Sequence, residues 1–436
     1  YEITTRLVGS EMCIRDRGII VSENWFTGMM KDEVPFEEIQ AKADRGEFHK
    51  WSFEPFDFQE NGYEDVLDEI KKYTAVDYLK LKALKESADK IGDKEKAIKY
   101  QSDMDKMVDD VLAIYRRKNI FPIQYFSDFG IIDEIEKCIS YKAFWNGNVV
   151  SCGAGVGTTL CNYLFPNLFD TPSQHDLDKT NARSLYEKFH NDEFLKRAIK
   201  FCYSYKNGCP VPTSVMGGLR LVGSAPTNFR PMNAKAVYER FCPAGGTIFD
   251  YCTGFGGRML GCLSSKNNYK YIGCDPNTET MYHLHQLGDY IEQVTGRENS
   301  YELHCCGAED FKGPVESIDF AFSSPPYFDL EVYSDEPTQC YNKFPKLDEW
   351  LEGFVRGTIR NIVHMLKKGR VYAVNIADFN TGGSTVAYVD EWIRISAEEG
   401  APLFDTVYLG VTARAGSKEQ AAGELKKENI LIFKKQ

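Results

Sequence analysis

Gly246-Thr247-Ile248-Phe249-Asp250-Tyr251-Cys252-Thr253-Gly254-Phe255-Gly256-Gly257-Arg258 is the stretch that decides the fold. Its first six residues form a short apolar run closed by an acid and a tyrosine, the pattern of a buried strand. A glycine-rich turn follows and leads into a helical segment at 258–265. Working outward, the same alternation repeats. Residues 271–275 read as a second strand, 301–305 as a third and 318–323 as a fourth. Residues 370–377 read as a fifth, and 404–411 and 429–433 as the last two. Between the fourth and fifth, residues 350–366 read as one long amphipathic helix, with Lys367-Lys368-Gly369 as its basic last turn and glycine cap. Strands alternating with helices predict an α/β fold: a mostly parallel, Rossmann-like sheet of about seven strands with helices on both faces. Such sheets bind ligands at the carboxyl ends of their strands.

The chain has 436 residues, too many for one ordinary core. Four segments are expected: 1–17, a helix-rich region at 18–120, a mixed region at 121–225, and a catalytic domain at 226–436. Residues 1–17 have no clear period. They resemble the translated read-through of a sequencing adapter, and Arg6, Glu11, Arg15, Asp16 and Arg17 leave no apolar core for a signal peptide. They are read as non-native and set aside. No apolar run approaches the roughly 18 residues that span a bilayer, so no membrane is expected. The 13 cysteines contain no CxxC pair. That argues against a zinc site and against a disulfide scaffold, and for buried thiols in a reducing cytoplasm. A net charge of −12 does not favour a general nucleic-acid binder, though it leaves room for an enzyme with one local basic groove.

Residues 18–60 are rich in aromatics, among them Trp25, Phe36, Phe48 and Trp51, and are expected to be irregular. Beyond them, Met104, Val108, Val111, Leu112 and Tyr115 make one apolar stripe at helical spacing. Leu67, Ile70, Leu81 and Leu84 suggest an earlier helix, and Gly92-Asp93 breaks the two into a hairpin. Plain packing is the expected role; the alternative is an arm carrying Arg116, Arg117 and Lys118 to a polyanion. A second glycine-rich segment, 151–157, follows Val149-Val150. Its strand is short and no βαβ unit follows, so it reads as a tight turn rather than a phosphate loop.

Four strand ends carry distinctive residues. The loop of Gly254 and Gly256 lets the backbone approach a ligand. Asp275, about 20 residues on, can accept hydrogen bonds from both hydroxyls of a ribose. After the third strand stand Glu309 and Asp310, either of which can accept from an adenine amino group, with Asp310 slightly preferred. The fourth strand ends in Ser324-Pro325-Pro326-Tyr327. An amino group conjugated to a ring is a poor nucleophile because its lone pair is delocalised. Acceptors aimed at its hydrogens, here the Ser324 hydroxyl and the Pro325 carbonyl, stabilise the positive charge that develops on attack. Tyr327 can stack on the ring.

On these motifs, residues 226–436 resemble the amino-group DNA methyltransferases, which modify N4 of cytosine or N6 of adenine. The resemblance implies the class I methyltransferase version of the Rossmann-like sheet and S-adenosylmethionine as cofactor. It gives Asp250, Gly254, Gly256, Asp275, Glu309 and Asp310 to the cofactor, and Ser324, Pro325, Pro326 and Tyr327 to a flipped base in duplex DNA. Asn228-Phe229-Arg230-Pro231 resembles the family's segment whose aromatic, here Phe229, packs on the methionine part. Serine at the first tetrapeptide position leans towards N4 of cytosine. Where the family often has Asp-Pro-Phe, this chain has Asp250-Tyr251-Cys252, which departs from the commonest subgroup. The usual positions of a target-recognition domain are empty, so recognition would fall to residues 18–225, with the mixed region 121–225 as a candidate. Methylation of RNA or of a glutamine amide has the same geometry, and a non-catalytic nucleic-acid-binding module on this fold is the alternative of another class. No metal is expected, and no oligomeric state can be read.

Overall fold

The computed structural model describes residues 29–30, 33–49, 57–59, 62–153, 155–172, 183–205, 208–221, 226–328, 332–381, 384–411 and 426–436. The segment 1–17 and the aromatics Trp25 and Trp51 lie outside the described residues.

The main sheet has eight strands: β1 (Val149–Val150), β2 (Thr247–Asp250), β3 (Lys270–Cys274), β4 (Tyr301–His304), β5 (Ile318–Ser323), β6 (Leu366–Asn375), β7 (Leu403–Val411) and β8 (Lys426–Lys434). Their spatial order is β1-β7-β8-β6-β5-β2-β3-β4. Only β8 runs against its neighbours. The order reverses between β2 and β5, the switch point at which a doubly wound sheet opens a crevice for ligands. This is a Rossmann-like, doubly wound α/β sheet. It has eight strands where the sequence predicts about seven, because Val149 and Val150 add to the edge beside Tyr408 and Leu409.

Each buried strand feeds two cores, because successive side chains point to opposite faces. Ile430 and Ile432 lie in one hydrophobic cluster and Leu431 and Phe433 in the other; Ile248 and Phe249 divide the same way. One face carries the helices at Pro231–Phe241, Gly257–Leu263 and Thr278–Thr295, and its cluster continues without a break into the N-terminal helices as far as Ile39. The other face carries Arg356–Met365 and Tyr388–Glu398, built around Trp350, Ile359 and Trp392.

The segment read as one helix at 350–366 is helical without a break from 347 to 365, with a π-helical turn at Leu351–Val355 ahead of the α-helical Arg356–Met365. Lys367-Lys368-Gly369 is not its last turn. Leu366 is fully buried and already extended, and it pairs with Ile318 as the first residue of β6. Lys367 lies 2.9 Å from both carboxylate oxygens of Asp319 on β5. Burial of Leu366 and that ion pair pull these residues into the sheet.

The N-terminal hairpin forms as predicted, from Ala75–Ile91 and Lys94–Lys118, with Gly92 closing the first helix at φ 72° and Asp93 capping the second. The earlier helix read from Leu67, Ile70, Leu81 and Leu84 is two: Tyr63–Lys71 carries the first pair and Ala75–Ile91 the second. Arg116 donates to Asp192 and to the Phe189 carbonyl, and Arg117 donates to Glu69. Both arginines are thus engaged by groups of the chain itself. The turn at 151–153 is likewise consumed internally: Cys152 N–H donates to Asn233 and Gly153 N–H to the Tyr141 hydroxyl. Gly157 N–H donates to Glu134, so these N–H groups of the described loop residues are already engaged within the chain. Among the described residues, no helix is long and apolar enough to cross a membrane.

Candidate active site

The carboxyl ends of β2 to β6 open into one cleft of about 810 Å³. Phe229, Gly254, Asp275 and Glu309 line it, and so do Ser324, Pro325, Pro326 and Tyr327. The sheet thus brings together residues from four strand ends and from the segment before Pro231–Phe241. Asp250, Gly256 and Asp310 lie beside the cleft and are not part of its lining.

Asp250 ends β2 with no exposure to solvent. Its carboxylate accepts from Arg258 Nε at 2.9 and 3.1 Å, from the Tyr271 hydroxyl at 2.8 Å and from the Ser323 hydroxyl at 2.7 Å. Arg258 in turn donates to the Cys252 carbonyl, which lies 3.0 Å from Ser323 Oγ. A buried carboxylate is costly unless its partners are this complete. Asp250 therefore ties the turn after β2 to the end of β5 and fixes the loop shape from beneath. Gly256 has φ 74°, and a Cβ there would stand 2.7 Å from Leu287 and from Phe165. Its missing side chain permits close packing on the inner side of the loop. Gly257 serves the same end, since a Cβ would stand 2.0 Å from the Phe229 carbonyl oxygen.

Phe229 is held at that spot. Its ring meets Phe322 edge to face at 5.5 Å, and the Arg258 guanidinium lies 5.7 Å from its centre. Asn228 donates to the Phe255 carbonyl at 2.6 Å, which pins the segment onto the glycine loop.

Asp275 follows β3. Its Oδ2 accepts from Gly254 N–H at 3.0 Å and its Oδ1 from Asn277 N–H at 3.1 Å. Oδ2 also accepts from the Thr253 hydroxyl at 3.5 Å, and Oδ1 keeps a second lone pair for a ligand. Burial pushes this carboxyl up to about 6, and the two backbone N–H groups hold it from rising further. Glu309 is placed differently from Asp310. Lys343 lies 2.5 Å from Glu309 Oε1 and also contacts Asp310. Glu309 Oε2 is buried with no partner, and burial raises this carboxyl above its usual range against the pull of Lys343. The open acceptor at this strand end is therefore on Glu309; the slight preference for Asp310 does not follow from this arrangement.

The tetrapeptide leaves β5 at Ser323. Ser324 Oγ donates to the Asn375 carbonyl at 3.3 Å, so its proton is directed away and its lone pairs remain as acceptors. Tyr327 is fixed at both ends. Its hydroxyl accepts from Ala377 N–H at 3.0 Å, and its ring meets Tyr388 edge to face at 5.5 Å.

Several residues of this site escaped the sequence reading. Arg258 stands in the decisive stretch, but nothing in the pattern says that it folds back on Asp250. Lys343 and Asn375 come from distant segments and carry no local signal. Among the described residues, no cluster of three or more His, Cys, Asp or Glu is placed to hold a metal ion.

No family model and no curated protein matches the chain. Among solved structures it is similar to TrmN from Thermus thermophilus, at 13% identity and a TM-score of 0.30, over 47% of this chain and 49% of that one. The matched part thus spans about half of TrmN. It is also similar to the [4+2]-cyclase SpnF, at 15% identity and a TM-score of 0.33, over 47% of this chain and 81% of that one. A geranyl diphosphate methyltransferase in complex with GPP and sinefungin aligns at 12% identity and a TM-score of 0.33, over 51% and 81%. Likeness this distant transfers no activity to this chain. Its fold rests on its own strand order.

Proposed function

We propose that the protein is an S-adenosylmethionine-dependent methyltransferase acting on an exocyclic amino nitrogen of a flipped base in duplex DNA, N4 of cytosine ahead of N6 of adenine. The observation that carries this is the meeting of two half-sites in one cleft: Asp275 and Glu309 on one side of the switch point, Ser324 to Tyr327 on the other.

The residues fit the cofactor. Asp275 Oδ1 offers a spare lone pair suited to a ribose hydroxyl, with Oδ2 held by Gly254 N–H and more weakly by the Thr253 hydroxyl, and Glu309 Oε2 is an orphaned acceptor suited to an adenine amino group. When bound, S-adenosylmethionine supplies a methyl group on an electrophilic sulfonium. The chain's own residues do the rest. Ser324 Oγ and the Pro325 carbonyl accept from the hydrogens of the target nitrogen and stabilise the charge that grows on it. Tyr327, locked by Ala377 and Tyr388, presents a stiff ring for stacking. Most of the rate comes from such positioning. Extruding a duplex base costs a few kcal/mol, and stacking returns ~1–3 kcal/mol. No cysteine nucleophile is needed: Cys252 and Cys340 line the cleft, but burial raises both thiols and disfavours thiolate.

The test is incubation with labelled S-adenosylmethionine and, separately, duplex DNA, RNA and a glutamine-containing protein mixture, followed by nucleoside and amino-acid mass spectrometry. The expected product is N4-methylcytosine in DNA. Label in RNA or glutamine would replace the DNA reading, and absence of cofactor binding by calorimetry would favour a non-catalytic module.

A further inference from the structure

The cleft extends past the glycine loop to a wall that the catalytic residues do not use. Arg220, in the last turn of Pro212–Leu221, lines it, together with Thr158 and Asn162 of Thr158–Leu164. Thr158 and Asn162 are four residues apart and so share one helix face. Thr158 Oγ1 and Asn162 Oδ1 are buried atoms with no hydrogen-bond partner.

Arg220 is the more telling group. Its Nη1 donates to the Pro226 carbonyl at 3.2 Å, and its guanidinium lies 6.0 Å from the Phe169 ring centre. Among the described residues no carboxylate pairs with it. Burial alone pulls it down to about 10, with no acid to offset that. A half-buried cation with no acid beside it is only partly compensated, and such a group suits an anion that arrives in the cleft.

Two chains of contact place this wall beside the loop. Pro226, which Arg220 holds, leads within two residues to Asn228, and Asn228 is bonded to Phe255. Phe165, just past the helix of Thr158 and Asn162, packs on Phe255 at 6.3 Å and against Gly256. This wall, Phe255 and Asp275 line one and the same cleft, so a ligand with its ribose on Asp275 shares its space with Arg220, Thr158 and Asn162.

We propose that Arg220, Thr158 and Asn162 seat the amino-acid tail of the cofactor. The guanidinium and the Thr158 hydroxyl donate to the carboxylate, and the Asn162 amide oxygen accepts from the α-ammonium. Residues before 226 then complete the cofactor site, besides any role in recognising the target. This rests on the reading of the cleft as an S-adenosylmethionine site.

The experiment compares two ligands by calorimetry, using the full chain. S-adenosylhomocysteine carries the tail; 5′-methylthioadenosine has the same nucleoside and sulfur without it. Arg220→Gln is expected to weaken S-adenosylhomocysteine binding by about 10- to 100-fold, the range for a hydrogen bond to a charged group, and to leave methylthioadenosine within about twofold. Thr158→Val serves if Arg220→Gln does not fold, with a loss of roughly 3- to 10-fold on S-adenosylhomocysteine alone. Equal losses on both ligands, or no loss on either, overturn the proposal. So does an Arg220→Gln variant that binds S-adenosylhomocysteine normally but a duplex oligonucleotide more weakly, since the guanidinium would then serve a phosphate. Wild-type protein that binds neither ligand overturns the cofactor reading itself. Wild-type protein that binds both with the same affinity keeps that reading and overturns only the tail seat.

Discussion

Asp275 makes the proposed cofactor site sensitive to pH in a direction the structure fixes. Burial lifts its carboxyl to about 6, so it titrates within the range where proteins are handled. A ribose diol donates hydrogen bonds and selects the ionised form. With a midpoint near 6, about nine-tenths of the carboxyl is ionised at pH 7 and about one-tenth at pH 5. Affinity for S-adenosylhomocysteine should therefore fall about tenfold between pH 7 and pH 5, a change of ~1.4 kcal/mol. Stability of the ligand-free protein should move the other way through this group. A carboxyl raised above its unfolded value near 4 contributes its stability below that value and loses it as pH rises through about 6. The neighbouring charges that act on Asp275 are Asp250, which raises it, and Arg258, which lowers it. Calorimetric titrations at half-unit steps from pH 5 to pH 8, on wild type and on Asp275→Asn, measure the effect. The variant should bind about 10- to 100-fold more weakly at pH 7 and lose the slope between pH 5 and 7. A flat wild-type profile, or an Asn variant with the wild-type slope, would show that Asp275 is not the group that meets the ligand.

Tyr327→Ala should cut turnover by about 10- to 100-fold through lost stacking while cofactor affinity stays within about twofold; loss of cofactor binding instead would assign the ring to the wrong half-site. Arg258→Gln leaves Asp250 buried without its cation and should cost about 3–5 kcal/mol in urea unfolding, whereas a loss below ~1 kcal/mol would mean that the hydroxyls of Tyr271 and Ser323 suffice. Gly256→Ala should destabilise by about 1–3 kcal/mol, from a left-handed backbone and a Cβ 2.7 Å from Leu287 and Phe165; unchanged unfolding would show that the loop adapts.

The strands of the catalytic sheet were legible because each is a short apolar run bounded by turn residues, and because buried parallel strands need no partner-specific pattern. β5 falls on the residues read for it, and β2, β3, β4 and β8 lie within a few residues of theirs. The helix before β6 was misread at its end. Lys367-Lys368-Gly369 is locally a good helix stop, yet a buried Leu366 and an ion pair to Asp319 outweigh local preference.

The sequence by itself determined the class of fold and the candidate residues at its strand ends, since strand period, turn glycines and a tetrapeptide are properties of neighbours along the chain. Only the tertiary structure decided which of those residues share the cleft. It turned Asp250 and Gly256 inward to hold the loop, left the spare acceptor on Glu309 rather than Asp310, and brought Ser324 to Tyr327 against Asn375 and Ala377. It also set Arg220, Thr158 and Asn162 on the cleft wall and added Val149 and Val150 to the sheet edge. Such placements depend on burial and on partners dozens to hundreds of residues away. Residues that distant exchange hydrogen bonds and ion pairs only once the cores on both faces of the sheet have closed.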